Sequence, residues 1–238
     1  SDEAICIGPP ENKDSYLNEA AIISAAELSG ADAIYPGFGF LAENASFAEK
    51  CRESGFKFIG PDPEVIAIMG DKIKAKELAK SLNIPVVPGY EGEISNENEA
   101  IKIVEEIGYP VIIKASAGGG GRGMRVVNSS DELWQSIQSA QNEAELAFGD
   151  GKIFIEKYLK KPRHIEVQIF GNGKGEAVHL FTRDCSLQRK YQKIIEEAPA
   201  LNIDNQKLEE IQKLSVEACK KLNYEGAGTI EFLYENND

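Results

Sequence analysis

Zinc-type spacing is the first thing missing from this sequence. It holds two histidines and four cysteines (Cys6, Cys51, Cys185, Cys219) in 238 residues, with no CxxC pair, so neither a zinc ribbon nor a disulfide framework is indicated. Cysteine use this sparse reads as a reducing, cytoplasmic setting. No apolar run approaches the ~20 residues a membrane span needs. Positive charge is short as well: 26 Lys and Arg stand against 39 Asp and Glu, a formal net charge of −13. A sequence-independent grip on nucleic acid needs a basic footprint, and this balance points away from one. The expected partners therefore include neither nucleic acid nor membrane. There is no internal repeat.

What is present suits a folded protein. With 42% hydrophobic and 27% charged residues, disorder and collagen are excluded. At about 150 residues per domain the length allows one large domain or two small ones. The chain opens Ser-Asp-Glu and stops at Asp238 just after an apolar run, which reads as a piece of something longer.

Along the chain, residues 17–28 carry helical periodicity with Gly30 as a stop signal. The strand Ala33-Ile34-Tyr35, a helix over 44–54 and a strand over 56–59 give a βαβ rhythm that predicts part of a parallel sheet. Two helices follow, over 63–69 and 72–82; Pro85 and Pro88 then mark a linker around Val86-Val87. Beyond it come a helix over 97–107, a strand over 110–114, the run Gly118-Gly119-Gly120-Gly121-Arg122-Gly123 and a strand over 124–128. Ser129 or Ser130 is placed to cap a helix reaching Phe148, and a strand over 153–156 closes that unit. Ile165, Val167 and Ile169 alternate with His164, Glu166 and Gln168, predicting a half-buried strand with the second set outward. Residues 177–183 form its partner across Gly171-Asn172-Gly173, with a helix over 208–222 and a last strand over 228–234. The class is mixed α and β.

Gly118, Gly120 and Gly123 spell G-x-G-x-x-G, but a dinucleotide fold needs that motif between a strand and a helix. Here it joins strand to strand. No Gly-Lys-Ser/Thr follows, so the Walker A pattern is also out. What remains is a glycine flap between antiparallel strands, with Lys114 at its root and Arg122 within it. Bare backbone N–H groups can close on phosphate oxygens where no side chain intervenes. Taken alone, the run equally suits a surface loop with no ligand.

Other constellations lean the same way. Lys72 follows Gly70-Asp71 at a helix start, where backbone donors and a lysine can hold an anion, although by itself it reads rather as a solvated helix lysine. Residues 183–193 are basic inside an acidic chain, as a loop that focuses field on an anion or as an ordinary charged loop. Glu231 sits in an apolar strand, so either a Mg²⁺ or a lysine partner is expected, or an outward-facing position. Cys6, Cys51 and Cys219 read as core thiols; Cys185, in the basic segment, is placed to have a lowered pKa.

Several stretches resemble biotin carboxylase, the ATP-grasp component of acetyl-CoA, propionyl-CoA and pyruvate carboxylases. They are residues 35–44 (YPGFGFLAEN), Met69-Gly70-Asp71-Lys72, Lys114-Ala115-Ser116-Ala117 into the flap, Glu156-Lys157-Tyr158-Leu159, Pro162-Arg163-His164-Ile165-Glu166, Arg183-Asp184-Cys185-Ser186, residues 192–200 (QKIIEEAPA) and Gly226-Ala227-Gly228-Thr229. Tyr35 and Tyr191 stand where that family often has histidine. The resemblance implies an α/β and α+β ATP-grasp fold in three parts. Residues 1–85 would be the end of a Rossmann-like N-terminal domain with linker helices, 86–158 the lid subdomain, and 159–238 the start of the C-terminal grasp subdomain.

The resemblance also implies an ATP-dependent ligase that carboxylates biotin on a carrier protein, by way of carboxyphosphate made from ATP and bicarbonate. Its cofactors would be ATP, Mg²⁺ or Mn²⁺, bicarbonate and biotin. Its partners would be a biotin carboxyl carrier protein or domain, a carboxyltransferase component and a second copy in a homodimer. Its setting would be cytoplasmic acetyl-CoA carboxylase and fatty acid biosynthesis. Lys72 and Lys114 would bind phosphate under the flap Gly118, Gly119, Gly120, Gly121, Arg122 and Gly123, with Met124 and Leu233 as further nucleotide positions. Glu156, Lys157 and Leu159 would lie along adenine, largely through backbone groups, and His164 and Gln188 along the ribose. Lys193 would bind bicarbonate and Glu231 the metal, these two being the catalytic pair. The second metal acid, an asparagine, a bicarbonate arginine, the general base and a biotin-side arginine are expected beyond Asp238. Other ATP-grasp ligases, such as a carbamoyl-phosphate synthetase, and a non-catalytic nucleotide-binding fragment remain alternatives.

Overall fold

The structure is a computed structural model that describes residues 2–90, 92, 94–115, 124–189 and 192–235. It falls into two compact units. One comprises residues 1–84, 167–182 and 205–230; the other comprises 85–166, 183–204 and 231–238.

In the first unit, α1 (Glu19–Ser29), β1 (Ala33–Ile34), α2 (Ala45–Glu53) and β2 (Lys57–Phe58) form the expected βαβ, with β1 and β2 paired in parallel. Its helices start where short polar side chains satisfy orphan N–H groups: Asn18 accepts from Ala21 N and Asn44 from Phe47 N. Gly30 ends α1 in the left-handed region, the conformation glycine reaches without a Cβ clash. Phe47, Ala48, Cys51, Phe58 and Ile66 bury together as its core. Then come α3 (Pro63–Gly70), capped by Asp62 with proline at its first position, and α4 (Lys72–Ser81).

In the second unit, a four-stranded sheet has the order β3 (Gly89–Tyr90), β6 (Ile153–Lys157), β4 (Val111–Ala115), β5 (Arg125–Val127). All its pairings are antiparallel. The sheet packs on α5 (Glu97–Ile107) and α6 (Leu133–Phe148) through Val104, Val111, Ile113, Val127, Leu133, Ile137 and Ile155, each fully buried. β4 alternates buried and half-buried positions, the period-2 pattern of a strand with one face on a core. The short strand β3 follows directly on the linker that Pro85 and Pro88 mark. Neither serine caps α6: a 3-10 turn over Ser130–Glu132 leads into it, and the Glu132 carboxylate instead accepts the Asn128 N–H at 2.6 Å.

A second four-stranded sheet has the order β10 (Glu225–Tyr234), β7 (Arg163–Asn172), β8 (Ala177–Arg189), β9 (Gln192–Glu197), with α7 (Asn205–Lys221) between β9 and β10 in sequence. Residues 183–189 and 192–193 are therefore strand and not loop. β8 runs on to Arg189 and β9 starts at Gln192, so the basic charge lies on a strand pair. Lys190 and Tyr191 lie outside the described residues.

Candidate functional site

β7 places Glu166 between two buried apolar neighbours, Ile165 and Val167. Simple alternation predicted an outward Glu166, yet it is only 2% exposed. The reason is electrostatic. Arg183 Nε donates to its Oε1 at 2.5 Å, and Lys193 Nζ donates to its Oε2, so two cations fold over the carboxylate and shut out water. Lys193 Nζ also donates to Glu231 Oε1 at 2.6 Å, and Arg183 Nε lies 3.6 Å from Glu196 Oε2. Burial of Glu166 works to raise its pKa, but the hydrogen bonds and charges of Lys193 and Arg183 outweigh it and hold the carboxyl below its ordinary value. For Lys193 burial works downward, and the bonds to Glu166 and Glu231 outweigh it, leaving the ammonium above its ordinary value. Lys193 is thus a fixed cation at neutral pH, suited to holding an anion and not to removing a proton.

The expected partner of Glu231 is therefore a lysine, and Glu231 is exposed on the outer face of β10. Its carboxylate offers the hard oxygen donor that Mg²⁺ takes, and Mg²⁺ commonly uses one or two carboxylates together with substrate phosphates. Among the described residues, the one three-ligand group with metal-binding spacing is Glu166, Cys185 and Glu196, which does not include Glu231. Within that group Glu166 already serves two cations.

Cys185 departs from expectation. Its basic surroundings in the sequence predicted an easily ionised thiol, but burial, and then the negative charge and hydrogen bond of Glu166, push it up to about 11. Cys51 and Cys219 are buried as predicted; Cys6 is exposed and not a core thiol.

The other predicted residues are spread over several elements: Lys114 on β4, Glu156 and Lys157 on β6, His164 on β7, Gln188 on β8 and Leu233 on β10. Lys114, on β4, pairs with Glu156 on β6 at 2.6 Å, and its Nζ lies 5.7 Å from the Phe154 ring centroid. Lys157 turns its ammonium to the carbonyls of Gly108 and Tyr109 (2.9 and 2.8 Å), so its side chain holds the α5–β4 turn. Its backbone N–H goes to Pro88 O at 2.8 Å. Leu159 and Met124 are half-buried, and Leu233 is exposed. The backbone N–H of His164 donates to Ser186 Oγ at 3.0 Å, and Gln188 Nε2 donates to Cys185 O at 2.9 Å. Gly118, Gly119, Gly120, Gly121, Arg122 and Gly123 lie outside the described residues, as does the Lys72 side chain. The strands on either side of the glycine run do pair antiparallel, with Val111 opposite Val127.

Lys193 and Glu231 are brought together directly. Sequence reasoning missed the buried member that organises them, Glu166, and the role of Arg183 as its second cation. The available signal was a lone acid among the alternating apolar residues of β7, with Arg183 and Lys193 both in the basic segment of an acidic chain.

Residues 71–238 match the family "Carbamoyl-phosphate synthase L chain, ATP binding domain", and residues 1–66 match "Biotin carboxylase, N-terminal domain". The chain is 54% identical over 237 residues to the biotin carboxylase of Pseudomonas aeruginosa, covering 99% of this chain and 53% of that protein. The biotin carboxylase–β,γ-ATP complex from Campylobacter jejuni superposes with a TM-score of 0.88 at 49% identity, covering 100% of this chain and 53% of the other. The biotin carboxylase domain dimer of Hydrogenobacter thermophilus 2-oxoglutarate carboxylase, solved with MgADP, ADP and bicarbonate, gives 0.82 at 46% identity, over 96% and 50%. The chain spans about half the length of the relatives it matches.

Proposed function

Because this chain belongs to the biotin carboxylase family and has its ATP-grasp fold, we propose that it forms the nucleotide- and bicarbonate-binding half of an ATP-dependent ligase that carboxylates biotin. The observation that carries the reading is the Lys193 ammonium, held charged between buried Glu166 and exposed Glu231.

The chemistry demands such a cation. Bicarbonate attacks the terminal phosphorus of ATP, ADP leaves, and carboxyphosphate breaks down to CO₂ and phosphate; the CO₂ then adds to a ureido nitrogen of biotin as that nitrogen gives up its proton. Donor and acceptor are both anions. Two like charges 4 Å apart repel by ~4 kcal/mol at an effective dielectric of about 20, so positioning and charge neutralisation make up most of the catalysis. Lys193 holds bicarbonate, with Glu166 and Arg183 fixing its direction. Lys72, Lys114 and the flap from Gly118 to Gly123, with Arg122 and Met124, receive the phosphates. Glu156, Lys157, Leu159 and Leu233 line adenine, and His164 and Gln188 the ribose. Glu231 would hold Mg²⁺ or Mn²⁺, which would supply neutralisation of the phosphate charge.

The remaining assignments follow from the same reading. Residues 1–85, 86–158 and 159–238 are the N-terminal domain end, the lid and the start of the C-terminal subdomain. The partners are a biotin carboxyl carrier, a carboxyltransferase and a second copy, in the cytoplasm. Acetyl-CoA carboxylase, and with it fatty acid biosynthesis, is the proposed setting. A related domain occurs in a 2-oxoglutarate carboxylase, so the acyl acceptor is tested by supplying each candidate to the assembled enzyme.

The test is ADP release from MgATP by the longest natural form of the chain, with and without bicarbonate and free biotin. Release that needs bicarbonate and rises with biotin is expected. Bicarbonate dependence without a biotin response favours carbamoyl-phosphate chemistry instead, and ADP binding without turnover favours a non-catalytic nucleotide-binding role.

A further inference from the structure

The β8–β9 pair is not a regular ladder. Asp184 lies opposite Glu197 and Leu187 opposite Ile195, so two β8 residues, Cys185 and Ser186, face the single β9 residue Glu196. Gln188 then lies opposite Lys193, which leaves Ile194 as an extra residue on β9. Two bulges, one on each strand, therefore fall within a few rungs of each other. In a regular strand, residues an even number apart share a face, and each one-residue slip flips that phase. Without the β9 slip, Lys193 would share the face of Ile195 and Glu197. With it, Lys193 joins the face on which Arg183 and Glu196 approach each other, and both cations reach Glu166.

The irregular stretch is pinned by side chains. The Asp184 carboxylate accepts the Ser186 N–H at 2.9 Å and the Ser186 hydroxyl through one oxygen. Its other oxygen accepts Arg163 Nε and Nη2 at 3.0 and 2.7 Å. Arg163 also donates to the carbonyls of Leu201 and Asn202, at 2.6 and 3.1 Å, just beyond β9. Ser186 Oγ in turn accepts the His164 N–H. Backbone donors that a bulge removes from the ladder need other partners, and Asp184 supplies one.

We propose that this paired bulge is a phasing device, with Asp184 and Ser186 as positioning residues that put Lys193 on the face of Glu166 and Glu231. The inference rests on the reading of Lys193 as the bicarbonate-binding cation. Neither Asp184 nor Ser186 need touch a substrate; they act through the phase of β9.

The test uses steady-state kinetics of the longest natural form carrying Ser186→Ala, Asp184→Asn or Ser186→Thr. In Ser186→Ala and Asp184→Asn the KM for bicarbonate rises at least about fivefold, the equivalent of one lost hydrogen bond, while kcat at saturating bicarbonate stays within about twofold. Ser186→Thr keeps the hydroxyl and restores the wild-type KM. A merely structural role predicts something else: a lower thermal midpoint or a smaller active fraction, so kcat falls with the bicarbonate KM unchanged in both variants. That result overturns the proposal. Wild-type protein lacking bicarbonate-dependent ADP release would instead sink the functional reading itself, before any variant is compared.

Discussion

Removing the Glu166 charge takes from Arg183 and Lys193 the carboxylate they share, while Glu196 stays near Arg183 and Glu231 stays on Lys193. Each cation keeps one carboxylate, so Glu166→Gln should lower stability by about 1–3 kcal/mol, read as a shifted urea midpoint at unchanged slope. Asp184 makes a pH prediction. Burial pushes its pKa up, but the bonds from Ser186 and Arg163 outweigh that and hold it below the ordinary value. A depressed carboxyl contributes its full stability above the unfolded pKa of about 3.9, and loses it as pH falls through the folded value. Acid unfolding of the wild type should therefore steepen below about pH 4, and Asp184→Asn should flatten that slope in a pH series of unfolding free energies. For the thiols, exposed Cys6 should alkylate first at about pH 8, while buried Cys185 and Cys219, both pushed up to about 11, resist until denaturant is added; peptide mass spectrometry checks the order.

Among the elements, helices were the most legible. The residues that bound α1, α2, α3 and α5 carry their own signals: Asn18, Asn44, Asp62 and Asn96 accept at the N-termini, and Gly30 ends α1. The strands β4, β6 and β10 showed as short apolar runs, and β7 through its alternation. β9 did not, because all six of its residues are exposed and its QKIIEE pattern has no buried face to report. The bulges beside it were invisible too, since a register shift is a relation between two strands and leaves no mark in either alone. Glu166 was misread for the same reason: alternation tells which face a residue takes, not whether that face is covered. Core positions were clearer. Ile137 of α6 is fully buried against the β4–β6 sheet, so Ile137→Ala should cost about 2–5 kcal/mol by chemical denaturation.

At the scale of the whole molecule, the chain has a net charge of −13, yet the reaction proposed for it brings two anions together. The cations available to that reaction are Arg183 and Lys193, gathered on the Glu166 carboxylate, and Lys114, which pairs with Glu156 and lies four residues before the glycine run in sequence. Chance similarity does not account for a match that runs in one order through both family regions and across 99% of the chain. The central claim is that bicarbonate oxygen attacks the terminal phosphate of ATP. Its most direct test is turnover of the longest natural form in bicarbonate labelled with heavy oxygen, followed by mass analysis of the phosphate released. Attack by bicarbonate leaves one labelled oxygen in each phosphate, because carboxyphosphate breaks at its carbon–oxygen bond. Phosphate that takes its new oxygen from water alone would contradict the account.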